Sequence, residues 1–276
     1  MNRFWHSFIK PVIEIAQPKR LIEIGAAEGL NTRNLLAYCR QTGAHIDIID
    51  PAPRPVLHGV LAEYDTEYTW LALKSLDAIP GLAAVDVALI DGDHNWYTVF
   101  TELTLLFTRM AQLGAVPPIV FHHDVAWPYG RRDMYYNPDD LEPANRHPYA
   151  YQGMIPGHSE LVDEGINGYL ANALHEGGPQ NGVLTGIEDF IASESQPISF
   201  YMLPFFSGLS IMVPQQRMTP PLQQVINGFF STESLLQCCR NLEEESMRVR
   251  AELVKTQIRL LKRTEALERA KRLLTT

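Results

Sequence analysis

The sequence predicts an α/β fold built on a mostly parallel sheet, and three observations support this prediction. Up to about residue 125, short apolar runs alternate with helical stretches, which is the pattern of βαβ units. Acidic residues, namely Asp50, Asp91 and Asp124, stand where three of the apolar runs end. With 276 residues, of which 46% are hydrophobic and 20% charged, the chain suits one large domain with an appendage.

Each strand and helix of this fold is predicted from its apolar pattern. In chain order, we expect a strand over 20–24, a helix over 31–40, strands over 45–49 and 85–90, a helix over 95–109, a strand over 118–121, a helix over 183–192 and a hairpin over 198–213. Parallel strands end at one edge of a sheet, so the three acidic residues are expected to meet where open α/β sheets bind ligands.

Two changes in composition divide the rest of the chain. Residues 126–182 are rich in Pro, Gly, Asn, Tyr and Arg and lack periodicity, which predicts an inserted lid over the site. A second change falls near residue 220, so we expect one domain over 1–220 and a C-terminal helical tail over 221–276.

Apolar residues recur at every seventh position of the tail, which predicts one long helix. The two series are Leu235, Leu242 and Val249, then Leu253, Leu260, Leu267 and Leu274. Thr256, Arg263 and Ala270 continue the first series at the same spacing, so the apolar seam along the helix is interrupted and weak. Coiled-coil packing against a second copy or a partner protein is favoured over an amphipathic helix on its own domain, with a basic membrane-surface helix as a third alternative.

The charge distribution excludes some partners. The formal net charge is −9, and residues 240–276 carry ten basic and six acidic groups, or +4, which leaves −13 on residues 1–239. Such an acidic body lacks the basic face that a nucleic-acid duplex requires. The chain shows neither a transmembrane apolar run nor a signal-peptide pattern, so we expect a cytoplasmic protein, with attachment to the inner membrane through a partner as the alternative.

A glycine-containing loop, EIGAAEG over residues 23–29, follows the first strand and precedes a helix. Glycines in this place let the backbone approach a ligand closely. The pattern is E-x-G-x-x-x-G, and its acidic residues Glu23 and Glu28 suit a ligand with a positive charge better than a pyrophosphate. Asp50, at the end of the second strand, is placed to accept hydrogen bonds from two ribose hydroxyls, or else forms a turn before Pro51.

At this loop and at further motifs, the chain resembles class I S-adenosylmethionine-dependent methyltransferases. IDGDH over residues 90–94 is similar to the I-D-G-D-H stretch of a bacterial branch that acts largely on sugars, antibiotics and polysaccharides. FHHD over 121–124, WPYGRRD over 127–133 and GGPQNG over 177–182 also resemble that branch. The resemblance spans residues 18–213 and implies a Rossmann-like, mostly parallel seven-stranded sheet with helices on both faces.

The resemblance further implies S-adenosyl-L-methionine as the cofactor and O-methyl transfer as the activity. By position, it assigns cofactor binding to Glu23, Gly25, Ala26, Gly29, Asp50 and Asp91. It also implies His94 as the base, Asp91 and Asp124 as further catalytic residues, and Asp91, His123 and Asp124 as ligands of a divalent ion. Because His123 stands where relatives often have Glu, and imidazole is softer than Mg²⁺ prefers, Mn²⁺ is the alternative to Mg²⁺.

Several of these residues also have a purely structural interpretation. For Asp91, it is a cap on the following helix, although Asp93 is the better candidate for that cap. For His94, it is a single structural hydrogen bond at the helix start. We expect His122 to be structural, because only one of two consecutive strand residues faces the cleft.

The segment WPYGRRDMYY over residues 127–136 predicts the acceptor site. Aromatic faces stack on sugar rings and arginines bind carboxylates or phosphates, which favours a carbohydrate or glycan acceptor. The candidate substrate residues are Trp127, Tyr129, Arg131, Arg132 and Tyr135. The alternative is a lid that Arg–Asp pairs hold together.

The leading hypothesis is therefore an O-methyltransferase of carbohydrate hydroxyls, assisted by a divalent metal, whose tail binds a second copy or a partner. The alternative is a non-catalytic methyltransferase-like scaffold that organises polysaccharide-synthesis machinery through its coiled coil. A nicotinamide-dependent oxidoreductase is disfavoured, since the G-x-G-x-x-G loop is absent from the sequence.

Overall fold

The computed structural model describes residues 1–65 and 67–274. They form two compact units, one over Met1–Leu222 and one that begins at Gln223. The first unit contains the sheet and the predicted site residues, and the second contains the long C-terminal helix.

The strands of the described residues are numbered in chain order. They are β1 Arg20–Ile24, β2 His45–Ile49, β3 Tyr68–Leu71, β4 Val87–Ile90, β5 Ile119–His123, β6 Met134–Tyr135, β7 Tyr149–Ala150, β8 Ala171–Ala173, β9 Ile198–Leu203 and β10 Leu209–Pro214. Within the described chain, seven of them form the main sheet, in the order β3-β2-β1-β4-β5-β10-β9. Strands β1 to β5 are parallel, and β10 runs antiparallel to both β5 and β9. The predicted seven-stranded, mostly parallel α/β fold is confirmed.

The helices are numbered in the same way. They are α1 Lys10–Ala16, α2 Leu30–Thr42, α3 Pro55–Leu61, α4 Ser75–Ala78, α5 Trp96–Gln112, α6 Val183–Ser193, α7 Pro220–Phe229 and α8 Thr232–Leu274. Short 3₁₀ turns cover Asn2–Phe4, Ile79–Gly81, Pro138–Asp140, Pro143–Asn145 and Gln215–Arg217, and a π-helical turn covers Trp5–Ile9.

The core that supports the site lies between the main sheet and the helices α5 and α6. Helix α5 buries one face, where Val99, Leu103, Leu106 and Met110 are at most 1% exposed. Their spacing of three and four residues places them on a single stripe. Burial of each such side chain contributes about 1.5 to 3 kcal/mol, so the stripe holds the start of α5 rigidly at the sheet edge.

The strand register brings three residues level at the carboxyl edge of the sheet. Ile24 of β1 pairs with Ile90 of β4, and Ile90 pairs in turn with His122 of β5. The residues that follow these strands, including Asp91 and Asp124, therefore emerge side by side, as the sequence predicted.

The predicted lid segment has regular structure of its own. Strands β6, β8 and β7 form a small antiparallel sheet, and we call residues 126–182 the cap. The cap is fastened to the main sheet edge by an isolated bridge, in which the Met134 amide donates to the His94 carbonyl at 2.9 Å. A predicted active-site residue and the cap are thus joined directly.

The second unit contains the long helix that the heptad spacing predicted. Helix α8 spans 43 residues. Its apolar residues with more than half of their surface exposed are Leu236, Met247, Val249, Leu253, Leu260, Leu261 and Leu267. No helix in the described part of the chain is long and apolar enough to cross a membrane.

Candidate active site

The loop after β1 passes very close to the end of β4. Gly25 has a φ of +84°, and a Cβ atom at this position would lie 2.2 Å from the carbonyl oxygen of Asp91. Glycine is therefore required both by the left-handed backbone and by the approach of a neighbouring strand. Our expectation was that a ligand imposes this requirement, whereas here the protein's own backbone does.

Glu23 lies beneath this loop and is 2% exposed. Its carboxyl oxygens accept hydrogen bonds from Asn31 Nδ2 at 2.8 Å and from Thr32 Oγ1 at 2.6 Å. Burial raises the pKa of Glu23 to about 7, although the two hydrogen bonds counteract part of this effect. The side chain fastens β1 to the first turn of α2, so its influence on a cofactor acts through the loop.

Asp50 has a similar structural role at the end of β2. Its Oδ2 atom accepts hydrogen bonds from the amides of Ala26 at 3.0 Å and Ala27 at 2.9 Å, and its Oδ1 atom accepts from Ala52 at 2.9 Å. These bonds fix the loop, in which Ala27 adopts a φ of 47°. A carboxylate offers about four acceptor positions, so one remains for a ribose hydroxyl rather than the two expected.

Four side chains converge beyond the ends of β4 and β5. His94 Nε2 lies 2.7 Å from Asp124 Oδ2, and His123 Nδ1 lies 2.9 Å from the same oxygen. Asp91 Oδ1 is 3.3 Å from His123 Nδ1 and 3.8 Å from His94 Nε2. The structure thus brings together all three predicted catalytic residues and the predicted metal ligand His123.

The backbone of Asp124 adopts an uncommon conformation. Its φ is 56°, a left-handed value that costs a residue other than glycine roughly 1 to 3 kcal/mol. The conformation directs the carboxylate towards both histidines, as the two short distances to its Oδ2 atom show. Such strain clusters at functional sites, where the surrounding structure enforces it.

The four groups form two opposing charge pairs. Burial would lower the pKa of His94, but the Asp124 carboxylate outweighs this effect and raises that pKa well above its usual value. Burial also opposes protonation of His123, yet Asp91 and Asp124 raise its pKa to about 9. Burial would raise the pKa values of both carboxyl groups, but the histidines hold them below their usual range. The charges therefore balance within the cluster.

Three of these side chains fit a metal ion. Oxygen atoms of Asp91 and Asp124 and a ring nitrogen of His123 all lie within 4.8 Å of one another, so one ion can contact all three when it displaces the proton from that nitrogen. Two carboxylates and one imidazole make a mixed set of donors. This set suits Mn²⁺ better than Mg²⁺, because Mg²⁺ favours a shell of oxygen atoms only.

The N-terminal segment lies against this cluster, which sequence reasoning did not anticipate. The Met1 ammonium is 3.1 Å from Asp91 Oδ2, and the Met1 side chain is only 3% exposed. The fully buried Phe4 ring meets the His123 ring edge-on, with 5.8 Å between centroids. Asp91 thus accepts a cation in a largely enclosed setting.

The residue predicted to cap the N-terminus of helix α5 is wrong. Asn95, not Asp91 or Asp93, caps the helix, because its Oδ1 atom accepts from the Thr98 amide at 2.8 Å. Asp93 instead accepts from Thr98 Oγ1 at 3.3 Å. Asp91 therefore belongs to the cluster of His94, His123 and Asp124 and does not cap the helix.

The predicted acceptor residues form mainly internal contacts. Arg131 makes a two-pronged ion pair with Glu188, at 2.6 and 2.8 Å. Arg132, 1% exposed, donates to the carbonyls of Ala173 and Ser159. Arg132 also pairs with Glu176 of the cap at 3.6 Å, and Arg131 joins the cap to α6. This agrees with the alternative interpretation, a lid held together by arginine pairs, although the acidic partners are Glu rather than Asp.

The aromatic members of that set differ in their distance from His94. The Tyr129 ring lies 5.4 Å from the His94 ring, and its hydroxyl accepts from Asn167 at 2.8 Å. Tyr135 is 2% exposed and donates its hydroxyl to Asp133 at 2.9 Å. Trp127 packs, partly buried, against the main core. Tyr129 is therefore the member of this group that lines the candidate site.

Two further residues of the cap are close to the cluster. Asp133 Oδ1 accepts from the amides of Trp96 and Gly182, both at 2.7 Å, and so joins the cap to the start of α5. The Tyr136 ring lies 5.9 Å from the His94 ring, while 61% of the residue is exposed. Sequence reasoning noted Tyr136 only as part of an aromatic run and did not single out Asp133.

His122 behaves as a structural residue in its position. It is 1% exposed, and burial lowers its pKa to about 3, so the ring is neutral. Neither of its ring nitrogens has a hydrogen-bond partner among the described residues. Its neighbour His123, on the opposite face of β5, is the one that joins the cluster, as expected.

A family comparison assigns the part of the chain that contains this cluster. Residues 22–125 match the family described as a methyltransferase domain. The matched segment includes the loop after β1 and all four clustered residues, so the predicted similarity to methyltransferases is confirmed for this part of the chain. No curated protein matches the chain significantly in sequence.

Several solved structures are similar to the chain at low identity. PaMTH1 from Podospora anserina, a methyltransferase bound to S-adenosylhomocysteine, is 15% identical, with a TM-score of 0.48 over 75% of this chain and 76% of its own. A putative caffeoyl-CoA O-methyltransferase from Staphylococcus aureus is 14% identical, with a TM-score of 0.42 over 75% and 80%. The 1,6-didemethyltoxoflavin-N1-methyltransferase of Burkholderia thailandensis is 13% identical, with a TM-score of 0.40 over 75% and 77%. Similarity at this level does not specify an acceptor.

Proposed function

We propose that the chain is an S-adenosylmethionine-dependent O-methyltransferase that acts on a carbohydrate hydroxyl. The observation that carries this proposal is the hydrogen-bonded pair of His94 and Asp124, which lies beside the loop of a methyltransferase domain. An imidazole oriented by a carboxylate is the arrangement that removes a proton from a hydroxyl group.

The cofactor site in this proposal lies at the ends of β1, β2 and β4. S-adenosylmethionine supplies a methyl group carried on a positively charged sulfur. Asp91 suits such a ligand, since its Oδ2 atom already holds the Met1 ammonium at 3.1 Å in a partly buried setting. The assigned residues are Glu23, Gly25, Ala26, Gly29, Asp50 and Asp91, of which Glu23 and Asp50 act by fixing the loop.

His94 is the proposed base, and its two ring nitrogens have different roles. Nε2 is bound to Asp124, whereas Nδ1 has no hydrogen-bond partner among the described residues. In this role the ring must start neutral, so bound cations must first offset the negative charge of Asp124 and Asp91, which raises the pKa of His94. Nδ1 then takes up the proton of the acceptor hydroxyl, while Nε2–H donates a hydrogen bond to Asp124. The carboxylate fixes this tautomer and stabilises the imidazolium that forms.

Asp91, His123 and Asp124 are the proposed ligands of a divalent ion, Mn²⁺ or Mg²⁺. The distances among their donor atoms support this assignment. Such an ion supplies Lewis acidity, which lowers the pKa of a coordinated hydroxyl. A sugar hydroxyl is a weak acid, so a base and a Lewis acid acting together suit this acceptor.

The long helix α8 supports a proposal about partners. Leu253, Leu260 and Leu267 follow one another at heptad spacing, and each is more than half exposed. We propose that this seam packs against a second copy or a partner protein. We also propose that the protein is cytoplasmic, with attachment to the inner membrane through a partner as the alternative. Light scattering of the Leu253→Glu/Leu260→Glu variant tests the packing, because two charges in the seam are expected to lower the observed mass, while Val254→Glu leaves it unchanged.

Calorimetric titration with S-adenosylhomocysteine, followed by a transfer assay with labelled S-adenosylmethionine, tests the proposed activity. The proposal expects binding at one site and methyl transfer to a glycoside hydroxyl. Binding without any transfer would favour the non-catalytic scaffold, and an absence of binding would exclude the methyltransferase activity.

A further inference from the structure

Two exposed tyrosines of the cap lie near the candidate base or near Tyr129, whose ring is next to that base. Tyr136 follows β6 and is 61% exposed, and Tyr169 precedes β8 and is 78% exposed. Tyrosine rings are large and amphipathic, so an exposed ring next to a catalytic cluster offers a face on which a ligand can stack. Their positions relative to His94 and Tyr129 indicate which kind of ligand they can bind.

Tyr136 is placed directly beside the proposed chemistry. Its ring lies 5.9 Å from the His94 ring, with an interplanar angle of 71°. Its hydroxyl lies close enough to His94, Asp91 and Asp124 to interact electrostatically with all three. A group that stacks on the exposed face of Tyr136 therefore lies next to the proposed base.

Tyr169 approaches the same place from a different turn of the cap. The Tyr129 hydroxyl interacts electrostatically with both Tyr136 and Tyr169. The turn that carries Tyr169 is anchored there, because Asn167 donates to the Tyr129 hydroxyl at 2.8 Å and accepts from the Leu170 amide at 3.0 Å. Tyr129 thus connects the turn that carries Tyr169 to the His94 ring, which lies 5.4 Å from its own.

Charged groups complete the rim of this aromatic site. Lys74 and Asp140 form an ion pair at 3.0 Å, and both act electrostatically on the carboxyl group of Asp93, the residue before His94. A pyranose ring combines a face of C–H groups with a rim of hydroxyls. The exposed faces of Tyr136 and Tyr169, together with the carboxylates and the ammonium group that act on the residues around His94, match that combination, whereas a flat aromatic acceptor would leave the charged groups unused.

We propose that Tyr136 and Tyr169 form the acceptor subsite, where they stack on a pyranose ring and direct one of its hydroxyls towards His94. This inference rests on the proposed function and specifies its substrate residues. It replaces Arg131, Arg132 and Tyr135, whose contacts are with other residues of the protein, by two exposed residues of the cap.

Saturation-transfer NMR with three probes tests the subsite on the full chain with S-adenosylhomocysteine bound. The probes are methyl α-D-mannopyranoside, methyl β-D-glucopyranoside and methyl α-L-rhamnopyranoside, with catechol as the flat aromatic comparison. We expect transfer to the ring protons of at least one glycoside. The affinity of the protein for this glycoside should fall roughly 3- to 10-fold in Tyr136→Ala and by a similar factor in Tyr169→Ala, as expected for a lost aromatic contact.

Two further variants separate stacking from general damage to the cap. Tyr136→Phe keeps the ring and should bind the glycoside within about twofold of the unaltered chain. Tyr151→Ala removes a cap tyrosine that is 62% exposed and whose ring contacts Tyr149, not His94, so it should leave binding unchanged. Equal losses in Tyr151→Ala and Tyr136→Ala would overturn the subsite.

The outcomes also distinguish this inference from the proposed function. Transfer to catechol alone, or to none of the four probes, overturns the pyranose subsite while S-adenosylhomocysteine binding stays intact. Loss of S-adenosylhomocysteine binding by the unaltered chain overturns the proposed function itself. Glycoside binding that is insensitive to both alanine variants overturns only the assignment of Tyr136 and Tyr169.

Discussion

The Nε2 atom of His94 and the Oδ2 atom of Asp124 lie 2.7 Å apart, although 30 residues separate them in the chain. The contact exists because β4 and β5 are parallel neighbours, so that the residues following them emerge at the same edge. The left-handed backbone of Asp124 then turns its carboxylate towards the imidazole. One geometric feature of the sheet and one strained residue thus create the pair on which the proposed chemistry depends.

Gly25→Ala is expected to destabilise the fold through the close approach of Asp91. The new Cβ would lie 2.2 Å from the Asp91 carbonyl oxygen, at a φ of +84°. Gly43→Ala is the matched control, since Gly43 has a φ of +70° but open space around its Cβ position. We expect the Gly25 variant to lose roughly 1 to 3 kcal/mol more than the Gly43 variant in urea unfolding. Equal losses would show that only the backbone angle matters.

Chelation is expected to abolish methyl transfer if Asp91, His123 and Asp124 bind a divalent ion. Added Mn²⁺ or Mg²⁺ should restore activity, because the ion orients and acidifies the acceptor hydroxyl. Asp91→Asn should resist this rescue, whereas Glu142→Gln, which changes an exposed carboxylate of the cap, should be rescued like the unaltered chain. Full activity in EDTA would remove the metal from the account and retain the base.

Glu102→Gln is expected to stabilise the fold at alkaline pH. Glu102 is fully buried, and burial raises its pKa from 4.5 to about 8, although the Ser75 side chain counteracts part of this effect. A group with a raised pKa contributes stability below its unfolded pKa and loses that contribution as the pH rises towards the folded value.

The stability difference between the unaltered chain and Glu102→Gln should therefore change with pH. Between about pH 5 and about pH 8, the unaltered chain should lose on the order of 2 to 4 kcal/mol relative to the variant in urea unfolding. Glu142→Gln should show no such divergence. Parallel pH profiles for Glu102→Gln would mean that this carboxyl group titrates normally.

Asp133→Ala is expected to loosen the cap from the start of α5. The substitution leaves the amides of Trp96 and Gly182 without their buried acceptor, at a cost of roughly 2 to 4 kcal/mol in urea unfolding. Asp163→Ala, which removes an exposed hydrogen bond to Gln152 within the cap, should change stability by no more than about 0.5 kcal/mol. Faster hydrogen exchange at the Trp96 amide, with the core amides unchanged, would locate the effect.

Much of the sheet and part of the cluster were predictable from local pattern. Fully apolar runs such as β4 predict buried strands. The acidic residues that follow β2, β4 and β5 predict which edge of the sheet holds the site. By contrast, β3 has the four residues YTWL, half-buried and without alternation, so periodicity alone does not reveal it. The helices before β1 were missed for a similar reason, since proline and polar residues interrupt their pattern.

Contacts between distant residues were beyond the reach of the sequence. Arg131 has acidic neighbours along the chain, yet its partner is Glu188, which lies 57 positions away. Asp133 and Trp96 are similarly separated by 37 positions. Motif similarity pointed to His94, His123 and Asp124, which the structure brings together, but which side chains of the cap lie beside them depends on how the cap folds, and only tertiary structure specifies that.

Comparison of His94→Ala with the unaltered chain tests the central claim most directly, because it separates cofactor binding from chemistry. Calorimetry should give nearly equal affinity for S-adenosylhomocysteine in both proteins, since His94 makes no part of the loop after β1. Turnover with labelled S-adenosylmethionine and a methyl glycoside should fall by about 10²- to 10⁴-fold, the usual contribution of a positioned base. Near-normal turnover in the variant would contradict the account and transfer the role of base to another group.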